Sequence, residues 1–560
     1  MWRAVYVETT TAPALSTDAD TVVIGVFDGE PLHVDEARDQ LEALLDSGEA
    51  KARFKHLALT HLEGRRVLLV GLGARDELDA ERARVAAALA QRRARDLEAR
   101  TLCWALPSGV GDEIAEALVH GTLLGAYRFD RYRSRGGHPT WEGALGRLLD
   151  TAEEPVTPHV RPMVRHDKFE RQVALTGIGM SRIGRRLGVE PLSLTVAACR
   201  NAVADAGLTM GDIDGLSTYP GGAAAGGHSE GGVTAVEEAL RIRPTWFNGA
   251  METPGQTGSV VAAMLAVAAG LCRHVLCFRT VWEATWTDRL RRQPPAPRSG
   301  GERVEGDFMS WRLPYGAMSA ANWIAMNASN HFARYGTTRE TLATIALNAR
   351  ANAALNPDAV YRQPLTREDY FGARMITSPF GLYDCDVPCD GSVAVVVSAA
   401  DVSRDLAHPP VLVDAVGTQI IDRVSWDQGI LSHEPQTVGP AAHLWSRSEL
   451  RPADVDVAEL YDGFTFNCLS WIEALGFCAM GEGADFLADP GRIALGGELP
   501  LNTFGGQLSA GRTHGYGFLH EAIVQLRGHA GARQVDGAEV AVVSTGGGAP
   551  GGCFLLTADR

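Results

Sequence analysis

The chain has 560 residues, too many for one hydrophobic core, so we expect two to four domains. A content of 45% hydrophobic and 21% charged residues is typical of a globular protein. The net charge of −16 argues against nucleic acid or an anionic membrane as the main partner, because both attract basic surfaces. No run of about eighteen apolar residues lacks a polar interruption, so we expect no membrane span.

The N-terminus and the cysteines indicate a cytoplasmic protein. The first residues, MWRAVYVETTTAPALSTDAD, lack the basic start and apolar core of a signal peptide. Nine cysteines, an odd number, suit a reducing compartment better than a disulfide framework. The closest pair, Cys385 and Cys389, has no second pair or histidine cluster at metal spacing, so we expect packing rather than a metal site.

Residues 1–145 predict an α/β domain. The apolar runs TVVIGVFDG and RRVLLVGLG end at glycine and predict buried strands, and ARTLCWALP predicts another. HVDEARDQLEALLDSG, DAERARVAAALAQRRARDL and DEIAEALVHGTLLGAY carry apolar residues at helical spacing. Strands that alternate with helices favour an α/β architecture. Residues 146–170 are charged and contain proline, which predicts a linker.

Two motifs of this first segment, VLLVGLGARDEL and ALVHGTLLGAYRFDRYRSR, resemble the N-terminal domain of leucyl aminopeptidases. The resemblance implies a three-layer, macro-like α/β fold. In that family a metal-binding half follows, with a lysine, aspartates and an NTDAEGR-like run, and no such run follows here. We therefore expect no aminopeptidase activity and an accessory or assembly role for this domain.

The remainder of the chain contains five ordered motifs: ADAGLTMGDID, LYDCDVPCDGSVAVVVS, AELYDGFTFN, FGGQLSAGRTHGYG and STGGGAPGG. Together they resemble the thiolase superfamily. The resemblance implies an αβαβα thiolase fold with two similar halves, here residues 171–405 and 406–560. It also implies a homodimer formed through the sheet edge of the first half.

The positions that match the catalytic groups of thiolases have all changed. Gly255, in Gly-Gln-Thr-Gly-Ser, stands where the family has its nucleophilic cysteine, and Ser544 stands at the second cysteine. The histidine of the GHP motif corresponds to Arg512, with His514 two residues later, and Tyr461 occupies the NEAF/HDCF position. Because glycine cannot form an acyl-enzyme, the ping-pong thiolase reaction is lost.

The glycine-rich backbone of the family is retained. Glycines permit the close backbone approach that an oxyanion hole and the pantetheine arm of CoA require. Tight turns between core elements are the alternative explanation. The candidate CoA-binding glycines are Gly505, Gly506, Gly546, Gly547 and Gly548.

The pattern ELYDGFT, without a nucleophilic cysteine, is similar to the lipid-transfer-protein branch of the superfamily. That branch includes bacterial aldolases that shorten steroid side chains by retro-aldol cleavage of a β-hydroxyacyl-CoA. No acyl group passes to the enzyme in this reaction, so no cysteine is needed. The resemblance implies that CoA is part of the substrate, without a covalently bound cofactor, and that a small OB-fold/zinc-ribbon subunit is a partner.

The steroid aldolases use two tyrosines as acid and base. The first of these tyrosines corresponds to Tyr461. The position of the second falls near Arg512 in this chain, and His514 or Tyr516 could take over its role. A tyrosine has an ordinary pKa of about 10, so a tyrosine base needs a cationic neighbour. Arg512 and His514 are the candidates for that neighbour.

Other reactions and residues remain open from the sequence. Ser259, Thr257 or a thiol from a partner could support acyl transfer, and a non-catalytic scaffold would not need Tyr461. Cys468 and Cys478 lie in an apolar helical run, so we expect them in the core. The Pro/Gly/Arg segment with Arg292, Arg298 and Arg303 is either part of an acyl-CoA-binding region or a solvated loop.

Overall fold

The computed structural model describes residues 10–126 without 11, 33, 35–36, 63 and 98, and residue 160. It also describes residues 168–559 without 220–231, 250–253, 293–315, 318, 421–434 and 548–550. The chain divides into two compact units, residues 1–145 and 146–560, and each is described by itself. Within the described residues, no helix combines the length and apolarity needed to cross a membrane.

The first unit has a four-stranded sheet in the order β2-β3-β1-β4. Strand β1 is parallel to β3 and β4, and β2 is antiparallel to β3. The elements are β1 (Thr21–Phe27), α1 (Arg38–Asp46), β2 (Leu57–Leu62), β3 (Arg65–Gly73), α2 (Ala80–Asp96), β4 (Leu102–Ala105) and α3 (Asp112–Ala126).

Alternate residues of β1 face opposite sides of this sheet, as the period of two in a strand requires. Ile24 packs in one apolar cluster with Leu41 of α1, whereas Val23 packs in another cluster with Ala86 and Ala90 of α2. Helices therefore cover both faces, and the unit has the three-layer α/β architecture predicted from the sequence.

The second unit is built on a nine-stranded sheet in the order β13-β14-β15-β12-β5-β11-β8-β6-β7. A short hairpin, β9 (Met375–Thr377) and β10 (Phe380–Gly381), lies outside it. The strands of the large sheet are β5 (Val173–Met180), β6 (Gly215–Thr218), β7 (Trp246–Gly249), β8 (His274–Trp282), β11 (Asp390–Ala399), β12 (Val411–Gly417), β13 (Val457–Glu459), β14 (Val540–Thr545) and β15 (Gly552–Ala558).

The same strand order occurs twice in this sheet, and the two copies meet at a short β5–β12 pairing. The first copy runs β5-β11-β8-β6-β7 and the second runs β12-β15-β14-β13. In each, two antiparallel pairings are followed by a parallel one. In the second copy, a parallel bridge between Ala458 and Leu501 takes the position that strand β7 has in the first copy. The repeat confirms two similar halves.

Helices pack against both copies. Those of the second unit are α4 (Pro191–Asp205), α5 (Gly232–Leu240), α6 (Gly258–Ala268), α7 (Glu283–Arg292), α8 (Ala320–Tyr335), α9 (Arg339–Ala354), α10 (Arg367–Gly372), α11 (Ala400–Ser403), α12 (Pro435–Ser446), α13 (Thr465–Ala474), α14 (Gly483–Phe486) and α15 (Gly515–Leu526). Helices α6 and α15 are mostly buried and join strands of both halves in the largest apolar cluster.

The buried core of the second unit includes residues that precede residue 171. Lys168 and Glu170 are buried, although they lie in the charged stretch that predicts a linker. Lys168 Nζ lies 3.2 Å from Asp414 Oδ1, and Glu170 Oε1 lies 2.6 Å from Arg447 Nη2. Local composition cannot reveal these two ion pairs, because Asp414 and Arg447 lie more than two hundred residues away in the sequence. Residues 146–159 and 161–167 of the predicted linker lie outside the described residues.

Candidate active site

Tyr461 follows strand β13 and opens the turn Tyr461-Asp462-Gly463-Phe464. Its backbone N–H donates to Ser544 Oγ at 2.9 Å, which fixes the turn against strand β14. The side chain is 4% exposed, and Gln256 Nε2 donates to its hydroxyl at 3.4 Å. A Cβ on Gly463 would lie 2.9 Å from that hydroxyl, so the glycine leaves the space that the phenol occupies. The Tyr461 phenol is thus directed to the segment that precedes α6.

The segment before α6 contains Gly255, at the position of the thiolase nucleophile. Its φ of +67° lies in the left-handed region, which favours glycine. A Cβ here would overlap Thr545 Oγ1 and lie 2.6 Å from Thr545 O. A side chain at this position therefore has no room.

The two hydroxyl groups that the sequence offers as substitute nucleophiles are buried against other hydroxyls. Thr257 Oγ1 lies 3.0 Å from Thr545 Oγ1, and Ser259 Oγ lies 2.6 Å from the Tyr516 hydroxyl. Burial raises the pKa of Tyr516 well above its ordinary value. Neither pair supplies a base that could deprotonate Thr257 or Ser259, so the geometry does not favour acyl transfer through them.

Arg512 lies between two carboxylates. Its Nε is 2.9 Å from Asp386 Oδ2, and its Nη1 is 3.2 Å from Glu283 Oε2. Burial acts to lower the pKa of Arg512, but the charges of Asp386 and Glu283 outweigh it, and the pKa is raised. The charge of Arg512 also interacts with the Tyr461 phenol, although the carboxylates of Asp386 and Glu283 already neutralise it. The sequence does not single out Asp386 or Glu283, because the notable features of the motif DCDVPCD are its cysteines and its family resemblance.

Backbone contacts hold Asp386 beside the Tyr461 turn. Asp386 N donates to Gly463 O at 3.1 Å, and the next residue, Val387, donates to Gln507 O at 2.9 Å. Arg512 N donates to Val387 O at 2.8 Å. Burial, opposed by Arg512 and reinforced by Glu283, raises the pKa of Asp386 to about 7.

His514 has a φ of +53° and directs its ring toward strand β8. Arg279 Nη2 donates to His514 Nδ1 at 2.7 Å, and Arg279 Nη1 donates to the Tyr219 carbonyl at 2.8 Å. A guanidinium only donates hydrogen bonds, so Nδ1 is the acceptor and the imidazole is neutral in this arrangement. His514 is therefore not the cationic neighbour that the sequence suggests for Tyr461.

Similar known proteins indicate the family to which the chain belongs. Residues 432–551 match the family "Thiolase C-terminal domain-like". The chain is 34% identical over 392 residues to a steroid side-chain-cleaving aldolase of Thermomonospora curvata, covering 69% of this chain and 98% of the relative. It is equally similar to the 17-hydroxy-3-oxo-4-pregnene-20-carboxyl-CoA lyase of Mycobacterium tuberculosis, with 69% and 99% covered.

The chain belongs to this family of thiolase-fold aldolases. The solved structure of the Ltp2–ChsH2(DUF35) aldolase superposes with a TM-score of 0.61 at 33% identity, covering 70% of this chain and 98% of that one. The protein is accordingly an enzyme of the carbon–carbon lyase class, with a thiolase fold. Residues 23–136 match the N-terminal domain of the cytosol aminopeptidase family. That match confirms the resemblance of the first unit to this domain.

In this aldolase two of the candidate CoA-binding glycines are explained by packing. A Cβ on Gly505 would lie 2.5 Å from Cβ of Ala353, and one on Gly506 would overlap Asp462 Oδ2. The buried Asp462 carboxylate accepts from Gln507 N at 2.8 Å and from Asn502 Nδ2 at 3.0 Å. Burial, despite these hydrogen bonds, raises the pKa of Asp462 to about 8. Tight packing against Ala353 and Asp462 thus explains why glycine occupies these two positions.

The Gly546–Gly547 turn is positioned by helix α13. Trp471 Nε1 donates to Gly546 O at 2.8 Å, and Asn467 Nδ2 donates to Gly547 O at 3.0 Å. A Cβ on Gly546 would lie 3.4 Å from Cα of both Gly255 and Gly551, which is ordinary van der Waals contact, so this side of the turn packs against the Gly255 segment. Gly548 lies outside the described residues.

The remaining candidate residues are two cysteines and three arginines. Cys468 is fully buried in the main apolar cluster, and burial raises its pKa well above the ordinary value. Cys478 packs at the edge of that cluster, and burial raises its pKa to about 12. Arg292 forms an exposed ion pair with Asp288 at 2.6 Å. Arg298 and Arg303 lie outside the described residues.

Proposed function

We propose that this protein cleaves the Cα–Cβ bond of a β-hydroxyacyl-CoA by a retro-aldol reaction. The observation that carries the proposal is the filled nucleophile position: Gly255 has no room for a side chain, and the Tyr461 phenol is directed toward this segment. An acyl-enzyme has no place to form there, whereas a retro-aldol cleavage needs only an acid, a base and a stabiliser of the enolate.

The proposed reaction begins with loss of the β-hydroxyl proton to a base. The C–O bond becomes a carbonyl, and the electron pair of the Cα–Cβ bond moves into the thioester enolate. The enolate then takes a proton at Cα, which gives a shortened acyl-CoA and a ketone or aldehyde. Since a phenol ordinarily ionises near pH 10, a tyrosine gives a proton more readily than it accepts one at neutral pH. We assign Tyr461 as the proton donor.

The Gly546–Gly547 turn supports the enolate-binding role. Two side chains of α13 fix its carbonyls, and Gly546 lies against the Gly255 segment, so the turn is held rigidly. Backbone N–H groups held in such a rigid turn stabilise developing oxyanion charge at little reorganisation cost. In this proposal CoA enters as part of the substrate. The acyl group is bulky and sterol-like, because the relatives covered over nearly their whole length are named for steroid side-chain cleavage and for a pregnene carboxyl-CoA.

The assembly and location belong to the same proposal. Strand β7 is the last strand of the large sheet, and its Phe247 is 67% exposed, which supports dimerisation through this edge. The similar Ltp2–ChsH2(DUF35) aldolase contains a second component, which supports a small OB-fold/zinc-ribbon partner for this protein. All nine cysteines are free thiols, which supports the reducing cytoplasm as its location.

The experiment incubates the purified protein, with and without the proposed partner subunit, with a β-hydroxyacyl-CoA that carries a bulky tertiary alcohol. Equal amounts of carbonyl product and shortened acyl-CoA are expected. A parallel reaction with a β-ketoacyl-CoA and free CoA measures thiolysis. Thiolysis without retro-aldol cleavage would contradict the proposal, as would the absence of both reactions in the presence of the partner.

A further inference from the structure

We propose that Asp386 is a catalytic residue, the base that accepts the β-hydroxyl proton while Tyr461 supplies the proton to the enolate. This assignment rests on the proposed retro-aldol function. It fills the role that the sequence leaves open between His514 and Tyr516. His514 is held by Arg279, and the Tyr516 hydroxyl is bonded to Ser259, so both side chains are already engaged by other partners.

The position of Asp386 is the first argument. Its N–H is bonded to Gly463 O, two residues after Tyr461, and the neighbouring Val387 is bonded to both Gln507 and Arg512 through its backbone. The carboxylate is therefore fixed between the Tyr461 turn and the glycine-rich loop that carries Arg512. The Asp386 and Glu283 side chains are each 10% exposed and that of Arg512 is 26% exposed, so the group is largely buried but not completely enclosed.

The charge balance is the second argument. One guanidinium faces two carboxylates, so full ionisation leaves a net negative charge in a largely buried site. Burial, opposed by Arg512 and reinforced by Glu283, raises the pKa of Asp386 to about 7. A base whose pKa is near the working pH combines a useful unprotonated fraction with sufficient basicity.

The other titratable groups around Asp386 are Cys385, Cys389 and Asp462. Burial raises the pKa of both thiols above the ordinary value, so they are neutral at pH 7. Burial also raises the pKa of Asp462 to about 8, so this neighbour is mainly protonated at pH 7. Compared with Cys385, Cys389 and Asp462, Asp386 combines a pKa near neutrality with a side chain that is not completely enclosed.

The proton balance is complete within the site. Asp386 takes the hydroxyl proton as the carbonyl forms and the Cα–Cβ bond breaks, and Tyr461 gives its proton to Cα of the enolate. Transfer of one proton from Asp386 to Tyr461, directly or through water, restores both groups. No oxidant, reductant or further reactant is required.

The test compares Asp386→Asn with the wild type in the full chain, in the presence of the proposed partner subunit. Asparagine keeps the size but cannot accept the proton, so kcat should fall about a hundredfold or more with little change in KM. Asp405→Asn, an identical substitution at an exposed position on the same unit, is the matched control. Near-normal turnover by Asp386→Asn would overturn the assignment.

A pH profile separates a catalytic from a structural role. Because the base must be unprotonated, kcat/KM of the wild type should fall as the pH drops below about 7. The Glu283 charge raises the pKa of Asp386 and the Arg512 charge lowers it. The acidic limb should therefore move to lower pH in Glu283→Gln and to higher pH in Arg512→Gln. A limb that stays in place in both variants would contradict the assignment.

Failure of the assignment is distinguishable from failure of the proposed function. A wild type that cleaves the substrate while Asp386→Asn does so equally well rejects the assignment alone. A wild type that cleaves no β-hydroxyacyl-CoA, even with the partner subunit, rejects both.

Discussion

Thr545 occupies the space that a side chain on Gly255 would need. A Cβ at residue 255 would overlap Thr545 Oγ1, and the Thr545 carbonyl would be 2.6 Å away. The change at the nucleophile position is thus accommodated by a residue of strand β14 rather than left as a gap. A thiolase could not be restored here by returning one cysteine.

We expect Gly255→Cys to destabilise the second unit without creating a thiolase. The left-handed φ of +67° and the overlap with Thr545 both disfavour a side chain. The free energy of unfolding should fall by about 2–4 kcal/mol. Denaturant unfolding and a thiolysis assay with acetoacetyl-CoA measure the two effects. A stable variant with thiolase turnover would contradict the filled-site interpretation.

Removal of the Tyr461 hydroxyl should slow the reaction strongly. Tyr461→Phe keeps the packing against Phe518, whose ring centroid lies 6.1 Å from that of Tyr461, but it cannot donate a proton. We expect kcat to fall on the order of a hundredfold, with CoA-substrate affinity nearly unchanged. Steady-state kinetics give this split. Cys468→Ala is the control, because it alters a fully buried thiol of the core and should lower stability rather than rate.

The variant Tyr516→Phe distinguishes the role of Tyr516 from that of Tyr461; both tyrosines are buried. The Tyr516 hydroxyl is bonded to Ser259 at 2.6 Å, and its removal should cost about 1 kcal/mol of stability. Turnover should stay within about threefold of the wild type. Thermal unfolding and kcat are measured on the same preparation. A loss of rate as large as that of Tyr461→Phe would instead make Tyr516 the second proton-transfer group.

The Glu170–Arg447 pair should be important for the stability of the second unit. The Glu170 side chain is fully buried, and Arg447 donates to both of its carboxylate oxygens at 2.6 and 2.8 Å. Arg447→Ala leaves a buried charge without its cation and should cost about 3–5 kcal/mol. The double variant Glu170→Gln/Arg447→Met should recover much of that loss. Urea unfolding of the single and double variants tests both expectations.

Local patterns were sufficient for much of the fold. The strand Thr21–Phe27 and the helix Ala80–Asp96 follow from apolar runs and helical spacing, because burial of one face imposes a period on neighbouring residues. The twofold repeat of strand order agrees with the motif order of the chain. The charged segment around Lys168 and Glu170 shows the limit, since its burial depends on partners distant in sequence.

The sequence by itself determined the family, the thiolase fold and the absence of the nucleophilic cysteine, because contiguous motifs carry these features, whereas the catalytic role of Tyr461 stays a prediction. Only the tertiary structure decided that Thr545 fills the nucleophile site, that His514 is held neutral by Arg279, and that Arg512 lies between Asp386 and Glu283. Glu283 and Arg512 are 229 residues apart. Their charges act on Asp386 only because folding brings the three groups within hydrogen-bonding distance and removes most of the surrounding water.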